Sequence, residues 1–265
     1  MRGWTQRCDT APWGALVFAW LLLIGAPLAR AGEAPVRVAV AANFRAVLED
    51  LAADYQRTHA GVRIDVISGS TGKLFAQIVA GAPFDLFLAA DQERPQRLVA
   101  TGQVAQGMRH TYAVGRLVLW DPRAARVDGP ARLRAGGFRR LALANPDLAP
   151  YGAAAQAVLR ELELEQALEG RLVFAENVAQ AFAFVRSGNA AVGFVALSQL
   201  RTLPPSVIGA YWEPALPEAL AIRQDMVLLA RAEGNEGAQA FYAFLRSDAA
   251  RAQIEAAGYR LPPSR

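Results

Sequence analysis

Four short stretches place small, hydroxyl and amide residues where an apolar run gives way to helical periodicity. They are Ala41-Ala42-Asn43, Ser68-Gly69-Ser70-Thr71-Gly72, Pro150-Tyr151-Gly152 and Glu176-Asn177-Val178. Each opens a predicted helix, so each presents backbone N–H groups without an intrahelical partner and the positive end of a helix dipole. Such an end holds an anion with neutral donors, and a hydrogen bond to an ionised acceptor is roughly twice as strong as a neutral one. A single turn of this kind carries little weight, because Asn and Ser are among the commonest helix N-caps. Four of them, two from each half of the chain, can enclose a small anion without an arginine clamp.

Other chemistries fail on spacing. A nucleotide-phosphate loop built on Gly72-Lys73 needs glycine where Ile67 stands and a magnesium-binding hydroxyl where Leu74 stands. Lys73, the sole lysine, reads as a solvated residue in a first helical turn. His59 and His110 have no metal-ligand spacing, and no Gly-x-Ser-x-Gly elbow is present. Glu161, Glu165 and Glu169 recur every four residues, which predicts one solvated helix face beside Arg160 and Arg171. Trp120, Phe182, Phe184 and Trp212 lie in apolar periodic segments and are expected in packing. Asp85 and Asp91 are expected to fix local backbone, since a carboxylate beside an anion repels it.

The elements that must position the four turns alternate strand and helix. Apolar runs at 36–41, 63–68 and 86–89 read as strands, and 45–58, 72–80 and 92–100 as helices. A strand at 115–120 and a turn-rich stretch precede a second series: strands 141–144, 172–174 and 191–195, helices 151–162 and 178–187. Strand 219–223 and the apolar run 226–230 lead into helices 236–246 and 248–257. Uninterrupted apolar strands between helices predict parallel sheets covered on both faces. Two series of similar size with a C-terminal remainder predict two lobes joined by crossover strands, residues 32–114 with 219–265 and residues 115–218. Ligands in such folds bind beyond the carboxyl ends of the strands, which is where the four turns fall.

Residues 1–31 read as a cleaved secretory signal: Arg2 and Arg7, an apolar core from Ala15 to Ala26, and Ala29-Arg30-Ala31 before Gly32. That core is short of the roughly 20 residues that span a bilayer. The only cysteine, Cys8, lies inside this segment, so the mature chain relies on its apolar core rather than on disulfides. The formal charge of +4 falls further when the signal leaves, and no basic stripe with interleaved aromatics suggests nucleic acid.

The stretches VAVAANFRAVLEDL, SGSTGKLFAQIVAGAPFDLFLAAD, ANPDLAPYG and AENVAQAFAFVRSGNAAVGFV together resemble the periplasmic molybdate-binding proteins of ABC transporters. The resemblance covers essentially all of residues 32–265. It implies an α/β, two-lobed type II periplasmic binding protein fold with the ligand cleft between the lobes. Turn by turn it implies ligand contacts at Asn43, Ser70, Tyr151 and Val178, with Ala42 and Thr71 as additional positions. Ala42 stands where some members carry a hydroxyl residue that also binds, and Thr71 is expected to cap the following helix. Another branch of the family uses a tyrosine where Ala196 stands here; this chain resembles the branch that uses Asn43 and Tyr151 instead.

The implied function is capture of molybdate and tungstate in the periplasm and delivery to an ABC permease in the inner membrane. The protein would act as a monomer without cofactor or catalysis, the molybdenum entering only as the bound oxyanion. The chemistry of the contact positions agrees in one respect. Molybdate, tungstate and sulfate are fully deprotonated near neutral pH and call for donors only, whereas hydrogen phosphate also needs an acceptor. None of the four positions is acidic. The alternatives are a site for sulfate, thiosulfate or another tetrahedral oxyanion, and a secreted enzyme on the same scaffold.

Overall fold

Six residues without a turn former, VRVAVA, make the first strand, β1 (Val36–Ala41), buried at every position but Arg37. The computed structural model describes residues 35–262, and the signal-peptide reading of residues 1–31 lies outside the described residues. From β1 the chain runs through α1 (Arg45–Thr58), β2 (Ile64–Gly69), α2 (Thr71–Val79), β3 (Leu86–Leu88), α3 (Glu93–Ala100) and β4 (Val104–Gly115). A second series follows: β5 (Leu117–Asp121), α4 (Gly129–Ala135), β6 (Leu141–Ala144), α5 (Pro150–Glu161), α6 (Glu165–Leu168), β7 (Leu172–Ala175), α7 (Val178–Arg186) and β8 (Val192–Ala196). Short helices α8 (Leu197–Arg201) and α9 (Pro205–Ile208) lead to β9 (Ala210–Trp212). The last described elements are β10 (Ile222–Leu229), α10 (Glu236–Phe244) and α11 (Asp248–Ala256).

These strands form two five-stranded sheets, ordered β2-β1-β3-β10-β4 and β7-β6-β8-β5-β9. Neither sheet is wholly parallel, as the apolar runs had suggested. β10 lies antiparallel to both its neighbours in the first sheet, and β5 does the same in the second. The reason is where the chain changes sheets. β4 ends at Gly115 and β5 begins opposite Ala196, the last residue of β8; on the return, β10 begins opposite Gly115. A chain that arrives at the carboxyl ends of the parallel strands can only run back against them. Both crossovers therefore lie at the end of the sheets where the helix-opening turns are.

Alternation along the strands distributes the core. Val38, Val40, Leu86 and Leu88 face Leu48, Leu51, Phe241 and Ile254, while Ala39, Phe87 and Val227 point the other way onto Leu74, Ile78 and Leu98. In the second sheet Leu141, Leu143 and Phe194 pack on Val158 and Leu159; Val118, Ala142 and Val195 pack on Ala181, Val185 and Leu200. Each fully buried large apolar side chain contributes about 1.5–3 kcal/mol, so both faces of both sheets anchor the strand ends firmly. Trp120 is 1% exposed and stacks on Phe182 at 5.1 Å, in the packing role its context predicts.

Two local readings are corrected. Glu161, Glu165 and Glu169 do not share a helix face: α5 ends at Glu161, Glu163 takes a φ of 59°, and Glu165 lies in α6, paired with Arg160 at 2.8 Å. The segment between the helix at 92–100 and Gly115, to which the apolar pattern assigns no element, is the 12-residue strand β4. No helix among the described residues is long and apolar enough to cross a membrane.

Candidate functional site

The first turn is tight. The Phe44 amide donates to Ala41 O at 2.9 Å, and the Phe44 ring packs edge-on against Tyr112 and Tyr259, at 4.7 and 5.3 Å. Phe44, not Asn43, occupies the N-cap position of α1 and gives no side-chain cap. The Asn43 side chain is thereby free for tertiary contacts, donating through Nδ2 to Gln224 Oε1 at 2.9 Å and to the Tyr259 hydroxyl at 3.1 Å. Ala42 has no donor to offer, since its side chain is a methyl group and its amide is taken up by Gly69 O at 3.0 Å.

At the second turn Ser70 is the N-cap of α2, in the extended conformation that a cap requires, and its Oγ accepts the Lys73 amide at 3.4 Å. Thr71, expected in that role, already has helical backbone and instead accepts the Ala90 amide at 3.2 Å through Oγ1. Capping fixes the polarity of the serine. With a lone pair committed to the helix, the hydroxyl proton points away from it, and Ser70, 2% exposed, becomes a donor.

The third turn is built by Asn145, whose Oδ1 accepts the Asp147 amide at 2.9 Å and whose carbonyl accepts from Leu148 and Ala149. Pro150 then starts α5, removing an N–H that would be orphaned anyway, and the Tyr151 amide follows in the first helical turn. At the fourth turn Asn177 caps α7 by accepting the Gln180 amide at 3.1 Å, while Gln180 Oε1 accepts the Glu176 amide at 2.7 Å. Val178 is the first residue of α7, and its carbonyl accepts from Gln199 Nε2 at 3.3 Å. The amides of Ser70, Thr71, Tyr151 and Val178 lie in first helical turns or at the cap, where no intrahelical carbonyl reaches them.

The four turns meet. The first touches the second through Ala42 and Gly69, and the third touches the fourth through the Asn145 amide on Ala175 O at 2.7 Å. Between the sheets, the Gly72 amide donates to Leu148 O at 2.9 Å, and Lys73 Nζ pairs with Glu176 Oε2 at 2.7 Å. Ser198 Oγ donates to Asn43 O at 3.3 Å, next to the Gln199 that holds Val178. Lys73 is thus a bridging cation rather than a purely solvated one. It draws the Glu176 carboxylate to the surface, where both side chains are close to half exposed.

Of the remaining acids near the turns, Asp147 in the third turn is exposed, and three others are held by neighbouring side chains. Asp91 pairs with Arg94, Asp85 takes the Arg37 amide and Arg231, and Asp225 takes Arg109, Thr111 and Gln92. Burial raises the Asp91 carboxyl above the ordinary carboxylate value, and the Arg94 guanidinium opposes that rise. Three buried tyrosines, Tyr112, Tyr151 and Tyr259, have hydroxyls held well above the usual phenol value by burial and stay neutral. What the turns bring together is the Ser70 hydroxyl and the first-turn amides of Thr71, Tyr151 and Val178, neutral donors suited to an anion that carries no proton. Sequence reasoning missed Gln224, Tyr112, Tyr259 and Ser198. The one available signal was Arg223-Gln224-Asp225, three polar residues inside β10, of which Gln224 and Asp225 are buried.

Among the described residues, no group of three or more His, Cys, Asp or Glu side chains is arranged to hold a metal ion. A surface depression of about 710 Å³ lies along the edge strand β2, lined by Arg37, Glu49, Gln56, Asp65 and Phe84. It is open and mixed in charge, without converging donors.

Comparison with known proteins places this geometry in a family. Residues 36–260 match the family described as bacterial extracellular solute-binding protein. The chain is 43% identical over 232 residues to the molybdate-binding protein ModA of Azotobacter vinelandii, covering 87% of this chain and 92% of that protein. It is 38% identical over 257 residues to ModA of Rhodobacter capsulatus, covering 96% and 98%. The solved periplasmic molybdate-binding protein of Azotobacter vinelandii superposes with a TM-score of 0.80, covering 86% of this chain and all of that one. With the two mixed sheets and the helix-opening turns between them, these matches establish that the chain belongs to the bacterial extracellular solute-binding protein family.

Proposed function

We propose that the protein is a periplasmic binding protein that captures molybdate, and tungstate with it, between two lobes and delivers the oxyanion to an ABC permease in the inner membrane. The lobes are residues 32–114 with 219–265 and residues 115–218, and the protein works as a monomer. Ser70 donates through its hydroxyl, Asn43 through its side-chain amide, and Tyr151 and Val178 through their backbone amides; Thr71 adds its own amide. Binding is hydrogen bonding without covalent chemistry. The anion favours the closed arrangement because only there do donors from both lobes reach it.

The observation that carries this reading is the meeting of four helix-opening turns whose first-turn amides lack intrahelical partners, while the carboxylates of Glu176, Asp91 and Asp225 are held by lysine or arginine. The names of the two relatives above specify molybdate among the oxyanions such a cage could hold. Calorimetric titration with molybdate, tungstate, sulfate and phosphate tests it. Tight binding of the first two and little of the others is expected; sulfate binding as tightly as molybdate would overturn the assignment.

Ser70 offers a sharper test because it has two jobs. Ser70→Ala should weaken molybdate binding by about 1–3 kcal/mol, the range for a lost bond to a charged group. It should also lower stability by about 1 kcal/mol through the lost cap, whereas Ser70→Gly should cost only a few tenths. Equal loss of affinity with unequal loss of stability, read by titration and thermal melting, is the expected pattern. Unchanged affinity in both variants removes Ser70 from the cage.

A further inference from the structure

Behind the cage lies a buried polar network whose hydrogen bonds do not balance. Gln224, fully buried in β10, accepts through Oε1 from Asn43 Nδ2 at 2.9 Å and from the Tyr112 hydroxyl at 3.0 Å. Two buried atoms are left without a partner, Gln224 Nε2 and the Tyr151 hydroxyl. They lie side by side over Gly115, where an added Cβ would meet them at 2.7 and 2.2 Å. Gln224, the Arg116 amide and Asn43 all face the Tyr151 hydroxyl as donors that lower its pKa against the effect of burial, and the phenol proton has no acceptor among them. At the other end, both Nδ2 hydrogens of Asn43 are taken, by Gln224 and by Tyr259. The amide atom left over for the cage is Oδ1, an acceptor, which a dianion repels.

An amide turned through half a rotation exchanges its nitrogen and oxygen with no other atom displaced. We infer that Asn43 and Gln224 turn together when the dianion enters, and that Gln224 is the positioning residue that couples the Tyr151 hydroxyl to the Asn43 donor. In the turned state Gln224 Oε1 accepts the Tyr151 proton, and Gln224 Nε2 donates to Asn43 Oδ1 and to the Tyr112 oxygen. Tyr112 then moves its one proton from Gln224 to Ala89 O, at 3.0 Å, and leaves its oxygen free to accept. Asn43 Nδ2 is released toward the anion, while the Asn43 carbonyl retains Ser198 Oγ and Tyr259. Every atom that lacks a partner gains one, and the cage gains a donor.

The consequence is selectivity. Asn43 turned one way presents a donor and suits a dianion; turned the other way it presents an acceptor and suits a protonated anion such as hydrogen phosphate. The Tyr151 hydroxyl, neutral and with one proton to place, biases the pair toward the donor state. This mechanism rests on the oxyanion-binding reading of the same site.

Tyr151→Phe keeps the backbone amide and removes only that bias. Titration of the unaltered and variant proteins with molybdate and with inorganic phosphate should show the molybdate-to-phosphate affinity ratio falling by about tenfold or more. A purely structural role for the phenol would weaken both ligands alike, and an unchanged ratio overturns the coupling while leaving molybdate binding intact. Failure of the unaltered protein to bind molybdate overturns the binding reading and the coupling together. A second measurement stands whether or not the variant folds: the side-chain amide NMR signals of Asn43 and Gln224 should both shift when molybdate is added. Signals that stay in place overturn the turn.

Discussion

Gly152→Ala should destabilise the protein by about 3 kcal/mol or more, at or beyond the upper end of the usual range for overpacking. A Cβ at Gly152 would stand 2.3 Å from Ala144 O, 2.8 Å from its carbonyl carbon and 2.9 Å from the Asn145 carbonyl carbon. All three are backbone atoms at the end of β6, held by pairing to β7 and β8, so no side chain can swing aside. The intrinsic helix preference for alanine over glycine, up to about 1 kcal/mol, works against this effect but does not cancel it. For a chain of this size the melting temperature should drop by roughly 6–12 °C. Gly234→Ala is the matched control, because a Cβ there meets nothing within 4 Å, and its melting point should stay unchanged. Affinity should fall as well, since the clash pushes the start of α5, and with it the Tyr151 amide, away from the cage. A melting point unchanged in Gly152→Ala would mean that the third turn is not packed as described.

That glycine also illustrates what could be read from the sequence. Pro150-Tyr151-Gly152 announced a helix start, and the apolar run 141–144 announced the strand before it, because both signals are local. The carbonyl that Gly152 must clear is eight residues back and reached only by folding. The same divide runs through the site. Ser70, Tyr151 and Val178 stand at turns that local composition marks, whereas the network around Asn43 draws on Tyr112, Gln224 and Tyr259 from distant parts of the chain. β4 was missed because Gln106, Arg109, His110 and Thr111 dilute its apolar alternation and Gly107, at φ 73°, interrupts it. The single reversed strand in each sheet was equally hidden. Direction follows from where the crossovers land, which periodicity does not encode.

Gly72→Val should lower molybdate affinity more than about hundredfold while leaving the ligand-free protein as stable as before. Gly72 sits where α2 of the first sheet meets the loop before α5 of the second, its amide on Leu148 O at 2.9 Å. A Cβ there would lie 3.1 Å from that oxygen and 3.2 Å from Leu148 Cα, a contact that alanine can make with a shift of a few tenths of an ångström. The two γ-carbons of valine reach further into the same backbone and hold the halves apart. With the contacts proposed above, an open protein would keep the Asn43 and Ser70 donors but lose the Tyr151 and Val178 amides. Two charge-assisted bonds at the low end of their range amount to about 3 kcal/mol, more than a hundredfold in affinity. Gly72→Ala should show a much milder loss of affinity, with slightly higher stability from helix preference. Paired melting and titration experiments separate the two effects, and solution scattering should show Gly72→Val failing to contract when molybdate is added. Full affinity in Gly72→Val would mean that the Gly72–Leu148 contact is not part of the ligand-bound state, and that closure brings the lobes together along a different path.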